Sequence, residues 1–503
     1  MVTMTWNVVN PNDPIESQPT LGLIGMGAMG KMYAHLLSKA GWKKIHVCDR
    51  PAKFQELKEE FANVPGVKVF QDGHGVARSS DFMMYSVEAE FIEQVVAEYG
   101  PSTKVNAIVA GQTSVKAPER EAFEKHLPAD AQIISCHSLH GPTVSPLGQP
   151  LILIQHRATD HALHLVEDVL RSFGSRYVYL SYEEHDRITA NTQAVTHAAF
   201  MSMGSAWASE KTYPWEKGLY VGGIETVKVN LTLRIFSNAW HVYAGLAILN
   251  PKAREQINQY AKSATELYKL MVVAGTGAPS APPSPDPNSY TNGNGTDRGV
   301  RTPDYDAERE KKLRERIYWA RQVVFGNGDG NGGTKRKRRP ILLSQELLDQ
   351  FTLGQVPAQK NGSGTSQNPR YRPNSHLSLL AMVDCWAHLG IQPFEDLSVA
   401  ATPLFRLFLG VAEYLFLSQE LLDSSINSAI YETWHKSNDL EFVLAARGWS
   451  QCVNFGSFEV YRMRFAETRA FFETRFDEAG VLGSKMIKAV MESEMEREGS
   501  EEV

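Results

Sequence analysis

The segment Thr20–Gly25, TLGLIG, is a short apolar run ending at glycine, and Gly25-Met26-Gly27-Ala28-Met29-Gly30 follows without a gap. The apolar run predicts a buried strand. Gly30–Gly41 carries apolar residues at helical spacing and stops at a glycine, as many helices do. A GxGxxG pattern between a strand and a helix restricts the fold more than any other feature of the chain. Gly25 permits a tight turn, Gly27 places no side chain in front of a pyrophosphate, and Gly30 lets the helix approach the strand. The helix N-terminus, with the N–H groups around Met26, Ala28 and Met29, then faces phosphate with free donors and a positive dipole end. A glycine-rich turn without a ligand is the plainer alternative, and the strand before it argues against that.

The next apolar run, Ile45–Cys48, is a second strand, and Asp49 and Arg50 follow it. An acid about 20 residues beyond the fingerprint accepts the ribose 2′-hydroxyl of NAD. An arginine there, with Lys53 nearby, covers the 2′-phosphate of NADP through a charge-assisted fork. On mechanism alone the two signals nearly cancel.

Short strands continue at Val67–Phe70, Asp81–Val87, Ala107–Ala110, Gln132–Ser135, Leu151–Ile154 and Tyr177–Leu180, with helical stretches between the earlier ones. Alternation of this kind predicts a mostly parallel sheet with crossover helices. After about Tyr182 the pattern turns helical. Glu183–Lys211 reads as one long helix, Gly222–Leu249 as another, and Ala253–Val273, Ala307–Val324, Leu342–Phe351 and Ser375–Ala489 continue in that style. The expected fold is α/β: an N-terminal Rossmann-type parallel sheet over residues 1–182, then an all-α domain over 183–490. Polar inserts rich in Gly, Pro, Ser and Asn lie near 275–305 and 326–374, and an acidic tail covers 491–503. Such inserts bury too little apolar surface to offset the entropy of ordering.

With 503 residues, 43% hydrophobic and 21% charged, the chain is not disordered, collagenous or coiled coil as a whole. A net charge of -6 gives no reason to expect nucleic acid as a partner. The basic run Lys335–Arg339 reads as a solvated loop rather than a nuclear address. Cys48, Cys136, Cys385 and Cys452 stand far apart, with no CxxC pair and no zinc spacing, so no metal is expected and a reducing, cytoplasmic setting fits. The N-terminus carries no signal-peptide pattern. No run of 18 or more apolar residues exists, so no membrane helix is expected.

Three segments carry chemistry. Gly111-Gln112-Thr113-Ser114-Val115-Lys116 follows one strand, and Ser135-Cys136-His137-Ser138-Leu139-His140-Gly141-Pro142 another. Strand C-terminal ends are where open α/β sheets bind ligands. The third segment, HDRITANTQAVTH over His185–His197, is helical, with Gln193 and His197 four apart on one face. Cys136 beside His137 could suggest a Cys/His nucleophile, and a small buried apolar residue is the plainer reading.

The fingerprint GLIGMGAMG and these three segments, in this order, resemble prephenate dehydrogenase, most of all the fungal form, over about residues 20–250. The resemblance implies oxidative decarboxylation of prephenate to 4-hydroxyphenylpyruvate and CO2, in tyrosine biosynthesis. It also implies NADP as cofactor, with NAD as the alternative, and a homodimer built by the helical domain. The family's catalytic histidine falls on His137, with His140 as the alternative register. Its serine that bonds the substrate hydroxyl falls on Ser114, its helical histidine on His197 beside Gln193, and its carboxylate-binding arginine on Arg234. Arg187 and Lys228 are candidate helpers. Two positions depart from the family pattern: Gly111 stands in place of Asp, and Ser138 in place of Pro.

These residue types suit the chemistry. A neutral histidine can take the C4 hydroxyl proton as a carbonyl forms, and arginine's planar fork suits a carboxylate. Arogenate dehydrogenase, of the same family, is one alternative, separable by kinetics on both substrates. A β-hydroxyacid dehydrogenase would use a lysine on the helix after the sheet, and none lies between His185 and Glu210. A non-catalytic NADP-binding redox sensor would bind cofactor without turnover.

Overall fold

A computed structural model describes residues 8–142, 144–276, 303–326, 341–353, 372–400 and 403–499. The expected inserts lie largely outside these residues, and the run Lys335–Arg339 wholly so. The chain divides into two compact units. The first comprises Met1–Ala190, His241–Ala253 and Glu395–Thr402, and the second Asn191–Trp240, Arg254–Phe394 and Pro403–Val503.

The first unit is built on eight strands: β1 (Leu21–Ile24), β2 (Ile45–Cys48), β3 (Val67–Val69), β4 (Phe82–Tyr85), β5 (Ile108–Gly111), β6 (Gln132–Ser138), β7 (Pro150–Arg157) and β8 (Arg176–Tyr179). Each coincides with an apolar run of the sequence. The order across the sheet is β3-β2-β1-β4-β5-β6-β7-β8. All neighbours are parallel except β6 and β7. Because β1 pairs with both β2 and β4, the chain reverses direction across the sheet there, opening a crevice at the strands' C-terminal ends.

The helices of this unit are α1 (Ala28–Ala40), α2 (Phe54–Glu60), α3 (Gly73–Ser79), α4 (Ile92–Tyr99), α5 (Ala117–His126), α6 (Asp160–Leu170) and α7 (Tyr182–Thr189), with His241–Leu249 returning later. One sheet face buries Leu21, Leu23, Val47 and Leu153 against Tyr33 and Leu37 of α1 and Val166 and Val169 of α6. The other buries Ile24, Met83, Tyr85 and Val109 against Val76 of α3, Val96 of α4 and Phe123 of α5. Alternate residues of one strand thus serve opposite cores, which is why these strands read as continuous apolar runs. Ser181 and Glu184 close a reciprocal capping box at the start of α7, which sets where that helix begins.

The second unit is helical, and among the described residues no strand follows β8. Its helices include α8 (Val195–Ser209), Gly223–Ser237, Leu377–Leu389, Lys436–Phe455 and Phe458–Phe472. Nearly every residue of α8 from Val195 to Gly204 is buried, the mark of a helix surrounded by others.

Four sequence expectations change. Glu183–Lys211 is not one α-helix, because a single π-turn, Ala190–Ala194, separates α7 from α8. Gly222–Leu249 is two helices, broken where Asn238 takes up an extended backbone. Only Gln345–Asp349 of the stretch Leu342–Phe351 is helical. The acidic tail keeps a helical backbone as far as Gly499.

Burial pushes several histidines down: His46 to about 4, and His197 and His376 to about 3. The unfolded chain therefore binds protons near pH 6.5 that the folded chain refuses until much lower pH, so stability falls as pH drops through that window. Thermal denaturation should show a Tm at pH 5 at least several degrees below that at pH 7, and an equal Tm at both would contradict it.

Candidate active site

Gly25 ends β1 at φ +97°, and a Cβ there would stand 2.4 Å from the Ser86 carbonyl oxygen. A Cβ on Gly30 would stand 2.1 Å from the carbonyl oxygen of Gly25. Both glycines are thus required by close backbone approach. Gly27 differs: it caps α1, and among the described residues nothing lies within 4 Å of where its Cβ would be. That open space at a helix N-terminus fits a pyrophosphate. The Asp49 carboxylate is turned inward, accepting the N–H of Met26 at 3.0 Å and of Arg50 at 2.7 Å. The Arg50 side chain is 79% exposed. With the acid engaged by backbone, the arginine is the freer group, which tips the balance toward a 2′-phosphate.

Lys116 and Glu119 form a fully buried ion pair, Nζ to both carboxylate oxygens at 2.9 Å. Two buried charges are stable only when their remaining hydrogen-bonding capacity is met. Here it is. The Lys116 ammonium also donates to the carbonyls of Gly111 at 3.0 Å and Cys136 at 2.9 Å. The Glu119 carboxylate also accepts from the Thr113 amide, the Thr113 hydroxyl and the Ser135 hydroxyl. Ser135 in turn meets the Tyr182 hydroxyl at 2.7 Å. The pair joins the end of β5, α5, β6 and the start of α7. A Cβ on Gly111 would stand 2.1 Å from the Glu119 carboxyl, so the acid of this site comes from residue 119 and position 111 must be small.

His137 lies within β6, not beyond it, because antiparallel pairing with β7 carries the strand on to Ser138. Its Nδ1 is 2.7 Å from Nε2 of His185 on α7. Nδ1 of His185 donates to Asp186 Oδ1 at 2.8 Å. That carboxylate also accepts the N–H groups of Lys116 and Ala117, each at 2.8 Å, and so caps the N-terminus of α5. Burial holds His137 well below its usual value, and the neighbouring His185, Lys116 and His140 add to this. Burial also lowers His185, against the pull of Asp186. Both rings are therefore neutral at pH 7. His140 bonds only its neighbour, the Gly141 carbonyl, at 3.0 Å. Ser138 is buried, its hydroxyl 2.7 Å from that of Tyr33, so a residue that forms a hydrogen bond replaces the family's proline. Burial drives the Cys136 thiol up to about 12, which leaves no thiolate for nucleophilic chemistry.

Ser114 stands between β5 and α5, and among the described residues no group is hydrogen-bonded to its hydroxyl. Its Oγ lies 3.9 Å from where a Cβ of Gly245 would be. The structure thus brings His137 together with His185 and Asp186, while Gln193, His197 and Arg234 belong to the second unit. Gln193 falls in the π-turn, so the four-residue α spacing to His197 does not hold there. His197 is buried, its ring edge-on to Phe408 at 5.5 Å. Arg234 is partly buried and its Nε has no hydrogen-bond partner among the described residues. The two helper cations are engaged: Arg187 bonds Asp396 at 2.9 Å, and Lys228 bonds Glu225 at 2.8 Å. Among the described residues no cluster of three or more His, Cys, Asp or Glu could hold a metal, and no helix is long and apolar enough to cross a membrane.

Sequence reasoning gave no role to Lys116, Glu119, His185 or Asp186. The usable signal was the pair of potentially charged residues opening an otherwise apolar helix at His185-Asp186.

A family model described as a "6-phosphogluconate dehydrogenase C-terminal domain" matches residues 194–277 and 306–492. A second, "NADP oxidoreductase coenzyme F420-dependent", matches residues 20–110. The chain is 46% identical over 473 residues to a probable NADP(+) prephenate dehydrogenase of Schizosaccharomyces pombe, covering 94% of this chain and 98% of that one. The chain belongs to the prephenate dehydrogenase family. A second family member, the NADP(+) prephenate dehydrogenase of Saccharomyces cerevisiae, is 46% identical over 484 residues and 96% of each chain. A crystal structure of the A. aeolicus family member, in complex with hydroxyphenyl propionate and NAD+, is 20% identical with a TM-score of 0.42, covering 51% of this chain and 91% of that one.

Arg50→Ala should raise the Kd for NADP by roughly ten- to a hundredfold, the worth of a charge-assisted contact, and leave that for NAD nearly unchanged. Isothermal titration with both cofactors checks this, and an equal loss for both would refute the assignment.

Proposed function

We propose that this chain catalyses the oxidative decarboxylation of prephenate to 4-hydroxyphenylpyruvate and CO2 with NADP, a step of tyrosine biosynthesis. The observation that carries the reading is His137, a neutral imidazole on the strand end where the family places its catalytic base. The turn from Gly25 to Gly30 and Arg50 would hold NADP, which when bound supplies the acceptor for the C4 hydride. His137 takes the C4 hydroxyl proton as the carbonyl forms, and Ser114 orients that hydroxyl. The bond from the ring to its carboxylate then breaks. CO2 leaves, the electron pair enters the ring, and the C4 oxygen becomes a phenolate. Protonated His137 returns its proton to that oxygen, so no net proton is released. Because the ring gains aromaticity, the protein supplies alignment rather than a strong acid.

For Gln193, His197 and Arg234 the support is the family resemblance and, for Arg234, a guanidinium Nε with no partner among the described residues. We also place the protein in the cytoplasm as a homodimer. Exposed Leu440, Leu444, Phe455 and Met463 on two helices of the second unit are apolar surface suited to self-association. Sedimentation equilibrium should give twice the chain mass, and a monomer at micromolar concentration would refute the dimer.

Purified protein should reduce NADP in the presence of prephenate, followed by absorbance. Absence of turnover with either cofactor would overturn the reading, and faster turnover of arogenate would redirect it. His137→Asn should lower kcat by roughly 100-fold or more.

A further inference from the structure

We propose that His185 and Asp186 are positioning residues for the reaction, holding His137 in the one tautomer that can act as a base. The inference rests on the assignment of His137 as that base. It follows from hydrogen-bond bookkeeping along one short chain of groups. The Asp186 carboxylate can only accept. It accepts the N–H of Lys116, the N–H of Ala117 and His185 Nδ1, each at 2.8 Å. His185 therefore carries its proton on Nδ1. In a neutral ring the other nitrogen, Nε2, is then a lone pair. The atom facing it at 2.7 Å is His137 Nδ1, which must be the donor. His137, neutral in turn, is left with its lone pair on Nε2. Among the described residues no group is hydrogen-bonded to that atom.

Every member of the chain is fixed by something else. Asp186 cannot swing away, because it caps α5 through two backbone amides, and its own carbonyl accepts from Asn250 Nδ2 at 2.8 Å. His185 is fully buried, and Ser181 and Glu184 set the start of its helix. His137 is held in β6 by pairing with Ile152 of β7.

The charged and titratable groups around the two rings come from each neighbouring element. They are Lys116 and Glu119 at β5 and α5, Cys136 and His140 on either side of His137, and Tyr182 and Asp186 on α7. Of these, only Asp186 bonds the imidazole pair. When His137 gains the substrate proton on Nε2, its Nδ1–H still points at His185, whose Nδ1–H points at a carboxylate. The charged ring is thus stabilised without having to reorient, as an aspartate supports the histidine in other general-base sites.

His185→Phe keeps a ring in the cavity and removes both links. It should lower kcat at least about fivefold while the KM for prephenate and the Kd for NADP stay within about threefold. Asp186→Asn, which keeps shape and loses charge, should lower kcat in the same sense. In a His137→Ala background the same two substitutions should cost less than about twofold, since they act through His137. A smaller loss than fivefold in His185→Phe, or an equal loss with and without His137, would overturn the relay. If His137→Ala itself keeps full turnover, the base assignment falls first, and the two failures are told apart by that single variant. Nitrogen-15 NMR of histidine-labelled protein gives an independent reading. His137 should show a protonated Nδ1 and a bare Nε2, and the reverse pattern would also overturn it.

Discussion

The buried ion pair between Lys116 and Glu119 is the constraint on which the catalytic half of the first unit rests. Three ammonium donors meet the Glu119 carboxylate and the carbonyls of Gly111 and Cys136, and the carboxylate meets donors from Thr113 and Ser135 as well. In low dielectric such a pair survives only when every partner is in place, and removing one charge typically costs about 3–5 kcal/mol. Its geometry fixes the spacing of β5 and β6 beyond their last paired residues. It also places Ser114 and His137 on segments held from both sides.

The same network explains two departures from the family pattern. Glycine at 111 is the only residue whose side chain does not collide with the Glu119 carboxyl, so the acid has moved from the strand end to the first turn of the helix. Ser138 replaces a proline and uses its hydroxyl to meet Tyr33. In each case the altered residue is matched by a partner distant in sequence, and the shape of the site is preserved by different atoms.

The strands and the cofactor turn were legible because they rest on local signals. Apolar runs of four to six residues marked every strand, and the glycine spacing marked the turn. His137 and Ser114 were legible through short motifs. The π-turn at Ala190–Ala194 was not, since a one-residue change of helical register leaves no compositional trace. The extension of β6 to include His137 was not legible either, because it depends on antiparallel pairing with β7, whose direction no run of residues announces. His185 and Asp186 were visible as letters but not as a pair acting on His137, which lies 48 residues earlier.

The chain by itself determined its α/β-then-helical layout, its dinucleotide turn and its membership in a family of known chemistry. These follow from periodicity and from motifs confined to a few consecutive residues. Only the tertiary structure decided which acid neutralises Lys116, which nitrogen of His137 carries a proton, and whether Asp49 or Arg50 is free. Each of these depends on hydrogen-bond partners brought together from separate elements, and a buried polar group takes its chemical state from such partners rather than from its neighbours in the chain.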